Sequence, residues 1–341
     1  MGRKSRDKYY LTLHQQAHQR LVSMQAFGDS RAKDKLTGAD KSKIYSFATY
    51  KTYRRAIMRF IKYVERHHPE CTTLKKAKRY ANEWLQSRVE SGLSAWTIAM
   101  ENSAISKLFG ILPDDQGRFQ SPQRRREDIT RSRGTAKRDR HFSVRNNDEL
   151  IRFVCGTGTR RNVLERLKGG DLWRRSRMEE TVWELSKKRS LTDQEANQLA
   201  LLRDALSTFA DSEFYVFHGN DKGGKNRYAP VCPQHQELVV RRMTEAGPDG
   251  LVFWHVHDGA DIHHYRGIYC MELYKLYARK IEDIPYDKIN RGSGKKYQSD
   301  VYICRSDESG RKYDRRALLK CSRALGHNRA CVVARNYLYG L

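Results

Sequence analysis

Much that would point to other chemistries is missing from this 341-residue sequence. The seven cysteines (71, 155, 232, 270, 304, 321 and 331) include no Cys-x-x-Cys pair, and an odd number cannot all pair within one chain. They read as reduced cytoplasmic thiols, which excludes a disulfide framework. The twelve histidines fall into no zinc spacing; His14 and His18 stand one helical turn apart without further ligands nearby, so no metal site is expected. No stretch approaches the ~20 apolar residues that cross a bilayer, and the opening MGRKSRDKYY lacks the apolar core of a secretory signal. Arg6 breaks the myristoylation pattern. Arg291-Gly-Ser-Gly-Lys-Lys does not complete a Gly-x-x-x-x-Gly-Lys-Ser/Thr loop. A soluble cytoplasmic chain with no cofactor and no membrane association is expected.

Acidic residues are also scarce. Sixty-six Lys and Arg face forty Asp and Glu, a formal charge of +26 spread along the chain rather than gathered in one tail. Such a field attracts a polyanion over its whole length, and nucleic acid is the expected partner. The length is more than one ordinary domain needs and suits two, each able to bury its own core.

From Ile44 to Val64, the apolar residues Ile44, Phe47, Tyr53, Ile57, Phe60, Ile61 and Val64 recur at three- and four-residue steps, the pattern of an amphipathic helix. Its other face carries Lys51, Arg54, Arg55, Arg59 and Lys62, with few acids to offset them, which suits phosphate contact. A second helix starts after Thr73 and ends near Gly92, and a third starts after Ser94. The tryptophans and tyrosines of these helices read as core. The expected organisation is a basic segment (1–43), a helical DNA-binding domain (44–113), a basic linker (114–140) and a second domain (141–341). In the linker apolar residues almost vanish while Arg131 and Arg133 sit among further bases; such a segment can track a DNA backbone as a strap. Beyond it, helical pattern covers Leu150–Val154, Leu164–Leu172 and about Ile262–Ile281, and alternation around 213–218 and 227–232 predicts a β-hairpin. The fold class is therefore mainly α with a small antiparallel β-sheet (α+β).

Four motifs follow in fixed order: Thr157-Gly158-Thr159-Arg160, Asp221-Lys222-Gly223-Gly224-Lys225, His263-His264-Tyr265-Arg266, and Leu325-Gly326-His327 with Tyr337 ten residues on. Each alone is weak; their order is the strong part. Two arginines can hold, with paired donors, the charge that a phosphodiester transition state spreads over its oxygens, work otherwise done by a metal held in a carboxylate cluster. A tyrosine has a pKa near 10, so Tyr337 needs a base and nearby positive charge to act as nucleophile.

In these motifs the chain resembles the tyrosine recombinases, the integrases of phages and conjugative transposons. The resemblance runs from Ile44 onward. Arg160, Leu164, Leu167, Asp171 and Leu172 hold the register of the family's first arginine motif, and Lys222, Gly223 and Gly224 through Arg227 and Pro230 match its Lys-Gly-x-x-Arg hairpin. The closing Leu-Gly-His-Asn-Arg and Asn-Tyr-Leu most resemble integrases of conjugative transposons. The resemblance implies a two-domain C-shaped clamp on double-stranded DNA, and integration and excision of a mobile element through a 3′-phosphotyrosyl intermediate. Arg160 and Arg266 would bind phosphate, Lys222 would protonate the leaving 5′ oxygen, His263 would be base or phosphate donor, His327 a further donor and Tyr337 the nucleophile. Lys225 and Arg227 would join the DNA contacts. A tetramer on paired sites is implied, with an excisionase or DNA-bending protein as accessory partner.

The chain departs from the family in several places. Val163 stands where relatives often have an acid, 174–210 and 282–316 read as insertions, and Tyr337 lies one residue beyond the usual spacing, so Tyr339 stays open as nucleophile. Only four residues follow Tyr337, which leaves little tail to exchange between protomers. Two other readings fit the same residues: a type IB topoisomerase, and an inactive DNA-binding protein on a recombinase scaffold.

Overall fold

The computed structural model describes residues 11–125, 142–284, 300–305 and 308–338. The linker arginines Arg131 and Arg133, Tyr339 and much of the expected 282–316 insertion lie outside the described residues. The chain divides into two compact units, Met1–Asp128 and Ile129–Leu341.

The first unit is helical: α1 (Leu13–Ser23), α2 (Arg31–Thr37), α3 (Phe47–His67), α4 (Leu74–Ala77), α5 (Ala81–Glu90) and α6 (Ala95–Phe109). Ser46, Thr73 and Ser94 cap α3, α4 and α6, each accepting the backbone N–H three residues on. Along α3 the periodic residues Ile57, Phe60, Ile61 and Val64 are buried against Trp84 and Leu85 of α5 and Ile105 of α6. The boundary expected at residue 43 falls inside this compact unit. Leu13, Ala17 and Leu21 of α1 belong to this same core, and Ala26 and Met24 pair with Ile44 through backbone hydrogen bonds of 3.0 and 2.7 Å. Part of the expected linker also belongs to this unit: Asn82 and Asn102 donate to the carbonyls of Gly117 and Phe119, each at 2.8 Å.

The second unit comprises α7 (Asp148–Thr157), α8 (Arg161–Leu164), β1 (Leu172–Arg174), α9 (Arg175–Lys187), α10 (Asp193–Thr208), β2 (Phe214–Asp221), β3 (Lys225–Pro230), α11 (Gln236–Ala246), α12 (Ile262–Tyr277), β4 (Val301–Ile303), β5 (Lys312–Asp314), α13 (Arg315–Ala324) and α14 (Ala330–Asn336). Strands β1, β2 and β3 form an antiparallel sheet in that order, and β4 pairs with β5. Side chains alternate across a strand, and β2 uses both faces. Tyr215 and Phe217 pack with α10, α12 and α13, while Phe214 and Val216 pack with α7 and α11. The helix expected over 164–172 is corrected: α8 stops at Leu164, and Leu172 begins β1, paired with Val216. The 174–210 segment folds as α9 and α10, whose Met178, Leu202 and Ala205 enter the same core as Tyr337 and Leu338. Among the described residues no helix is long and apolar enough to cross a membrane.

Candidate active site

Helix α7 ends at Gly158, whose φ of 59° turns the chain sharply into Arg160. A side chain there would also strike the Tyr269 ring, since an added Cβ would lie 2.3 Å from its Cδ1. Thr157 and Thr159 are fully buried on either side, so the turn is set by packing rather than left to a mobile loop. Helix α12, capped by Asp261 accepting from the His264 N–H at 3.0 Å, carries His263 and Arg266 one turn apart and so on one face. Arg266 is 1% exposed and donates to the carbonyls of Gly158 and Leu325. The second contact reaches the Leu-Gly-His turn that ends α13. Arg160 donates to the same Leu325 carbonyl at 3.3 Å and is also paired with Asp221. Gly326, at φ 69°, leaves room for Arg227: an added Cβ would stand 2.7 Å from its Nη1.

Tyr337 ends α14 and is buried. Its hydroxyl lies 3.2 Å from Nε2 of His327, and its ring stacks on His263 with centroids 5.3 Å apart and planes 8° from parallel. The Arg266 guanidinium stands 6.0 Å from the ring centroid. The structure therefore brings Arg160, His263, Arg266, His327 and Tyr337 together. Lys222 sits exposed at the tip of the β2–β3 hairpin, in a turn closed by a 2.8 Å bond from the Gly224 N–H to the Asp221 carbonyl.

The electrostatics follow from crowded cations under partial burial. Burial and then the charges of Arg266, Arg160, Arg227 and Lys222 push His327 down to about 4, so its imidazole is neutral near pH 7. With its proton on Nδ1, Nε2 is free to accept from the tyrosine O–H. Burial and Arg266 likewise lower His263, and burial lowers the guanidinium of Arg266 itself. Among the described residues no group of three metal-ligating side chains could hold an ion.

Residues expected to touch DNA divide in two. On α3, Lys51, Arg54 and Arg55 are exposed and make no ion pair among the described residues. Arg59 is partly committed to Glu101 at 3.3 Å, a fully buried carboxylate that Arg88 also holds at 3.0 Å. On the hairpin, Lys225 is exposed but Arg227 is not. Arg227, an expected DNA contact, turns toward its own chain. It donates to the Ala324 carbonyl at 2.9 Å and to Asp221, and meets Nδ1 of His218 at 2.6 Å. Burial, then the charge of Arg266, brings its guanidinium down to about 10. Sequence reasoning also missed Asp221 and His218 as parts of this cluster. The register that pairs His218 with Arg227 was the available signal, because cross-strand partners share a face.

No curated protein is similar enough in sequence to this chain to count as a match. Residues 40–115, which contain α3 to α6, match the family model described as phage integrase, N-terminal SAM-like domain. That match lies in the first unit and stops short of the candidate active site; it supports kinship of this chain with the tyrosine recombinases and phage integrases.

Proposed function

We propose that the chain is a tyrosine-type site-specific recombinase that cuts and rejoins double-stranded DNA for a mobile element. The observation that carries this reading is the convergence on Tyr337: His327 faces its hydroxyl, His263 covers its ring, and Arg160 and Arg266 meet at the Leu325 carbonyl beside it. In the proposed step Arg160 and Arg266 exchange carbonyl contacts for the two non-bridging oxygens of the scissile phosphate. The Tyr337 Oη attacks phosphorus while its proton passes to Nε2 of His327. The bond from phosphorus to the 5′ oxygen breaks, and Lys222 protonates the departing oxygen. The product is a 3′-phosphotyrosyl ester, which conserves the bond energy for attack by the 5′-hydroxyl of a second strand.

A base with a pKa near 4 is weak at neutral pH, but the arriving phosphate supplies the negative charge that this cation-rich site lacks. Its charge raises His327 toward the range useful for proton transfer. The integrase-type match at 40–115 favours strand exchange between two duplexes over relaxation of one. Arg131 and Arg133 would add backbone contacts, and a tetramer on paired sites would carry out exchange.

A duplex nicked beside the scissile phosphate, so that the cut strand diffuses away, tests the proposal. Wild-type protein should accumulate covalent DNA adduct in the presence of EDTA, and Tyr337→Phe should form none. Adduct from the Phe variant, or peptide mapping of the adduct to Tyr339, would overturn the assignment of the nucleophile. Transfer of label between two duplexes distinguishes recombination from relaxation.

A further inference from the structure

Val163, three residues after Arg160, is buried in the core and carries no charge. Three guanidinium groups nevertheless share one small region. Arg160 and Arg266 share the Leu325 carbonyl, and Arg227 holds the Ala324 carbonyl next to it. Buried charges of one sign need a compensating group. That group is Asp221, whose side chain is fully buried and accepts from both Arg160 and Arg227 through one oxygen. Its other oxygen accepts the Lys222 N–H at 2.6 Å.

The route by which Asp221 arrives there is specific to this hairpin. It lies three positions after His218, so in a regular strand the two would point to opposite faces. Between the pairs His218–Arg227 and Asp221–Lys225, β2 has two residues, Gly219 and Asn220, while β3 has one, Asn226. The extra residue is a β-bulge, which returns Asp221 to the face of His218 and Arg227. Asn220 adopts a φ of 44°, and its N–H donates to the side chain of Asn226 at 2.6 Å. Arg166, just beyond α8, holds the bulge from outside by donating to the carbonyls of Gly219 and Asn220 at 2.8 and 2.6 Å.

We propose that Asp221, aimed by the Arg166-held bulge, is the positioning carboxylate of this site: it orients Arg160 directly, and the Leu-Gly-His turn through Arg227. The assignment rests on the recombinase reading. With the carboxylate in place Arg160 meets phosphate with its fork already fixed. Without it, Arg160 and Arg227 repel each other and Arg160 must be ordered during the reaction itself.

Single-turnover adduct formation on the nicked duplex, at saturating DNA, separates rate constant from amplitude. Asp221→Asn should lower the rate constant roughly 10–100-fold, the range seen when a ligand-orienting partner is lost, with near-full amplitude and DNA affinity equal to or tighter than wild type. Arg166→Ala, a surface change that leaves the core intact, should slow the same step by up to about tenfold, as removal of two hydrogen bonds to carbonyls allows. A wild-type rate constant in Asp221→Asn, or a loss confined to amplitude in both variants, overturns the assignment and leaves the recombinase reading standing. No adduct from wild-type protein overturns both.

Discussion

The two units put positive charge to opposite uses. On α3 of the first unit, Lys51, Arg54 and Arg55 stand in solvent above an apolar stripe buried on the other side. In the second unit Arg227 and Arg266 are buried, Arg160 is largely covered, and their donors end on carbonyls and a carboxylate of their own chain. An exposed lysine attracts phosphate anywhere along a duplex, and its effect fades with salt. A buried guanidinium carries a large desolvation cost, which makes sense where charge must be met at one point and one moment. On the proposed recombinase reading, the first unit is organised for affinity and the second for the transition state.

The sharpest way to break this contrast is Arg266→Ala. Cleavage should fall by about 10³-fold or more, since each missing donor to a transition-state oxyanion costs on the order of 10²–10³-fold, while affinity for the uncut site stays within a few-fold. Equal losses in cleavage and binding would make Arg266 an ordinary backbone contact. His327→Gln should come next, slowing cleavage by about 10²-fold or more as expected for loss of proton transfer. In wild type the rate should fall on the acid side with a midpoint above 4, the free-site value, because bound phosphate stabilises the protonated ring. A rate independent of pH down to 4 would take His327 out of the proton path.

The first unit calls for the converse experiment. Changing Lys51, Arg54 and Arg55 together to Ala should weaken binding on any sequence. The slope of log affinity against log salt should shrink by up to about 3, near 0.9 for each phosphate that is no longer neutralised. The single-turnover rate constant at saturating DNA should hardly change. Arg59→Ala should affect the slope less, because Glu101 already takes part of its charge. A large drop in rate constant in the triple variant would show that α3 helps to build the chemistry.

How far each unit could be read from its sequence follows the same division. The α3 stripe was legible because one helix face meets one core, and Thr73 and Ser94 announced two helix starts through caps that the structure retains. The motif residues Arg160, His263, Arg266, His327 and Tyr337 were legible as an ordered set, and they do meet. Asp221 was not, because its direction depends on one extra residue in β2, and alternation alone sends it to the wrong face. Arg227 looked like another surface base until its strand partner was known. Residues 164–172 read as helix from their leucines, but Gly169 and Gly170 donate to the carbonyls of Gly250 and Pro248, and the chain then joins the sheet. Such bonds reach across about eighty residues, beyond any local window. The share of α1 in the first core was hidden for the same reason.

The smallest effect is a difference in how the two units respond to acid. In the second unit His218 is driven well below its usual range, first by burial and then by Arg227, Arg266 and Arg160; His263 and His327 are lowered by burial and arginines as well. An unfolded histidine takes up its proton near 6.5, so between that pH and about 4 the unfolded chain binds more protons than the folded one. The stability these three contribute is complete above about 6.5 and drains as pH falls toward their folded values. In the first unit the groups lowered within the acid range include the carboxylates Asp34, Glu70 and Glu83, whose contribution is kept down to their unfolded values of 3.8 and 4.5 and lost only below them. Between about pH 6.5 and 5, hydrogen exchange corrected for its intrinsic pH dependence should therefore quicken in β2, β3 and α12 while α3 keeps its protection. Replacing His218 or His327 by Gln should flatten that trend in the second unit. Equal loss in both units over this window would mean that the buried histidines carry no special share of acid sensitivity, and that the contrast between the units stops at their cations.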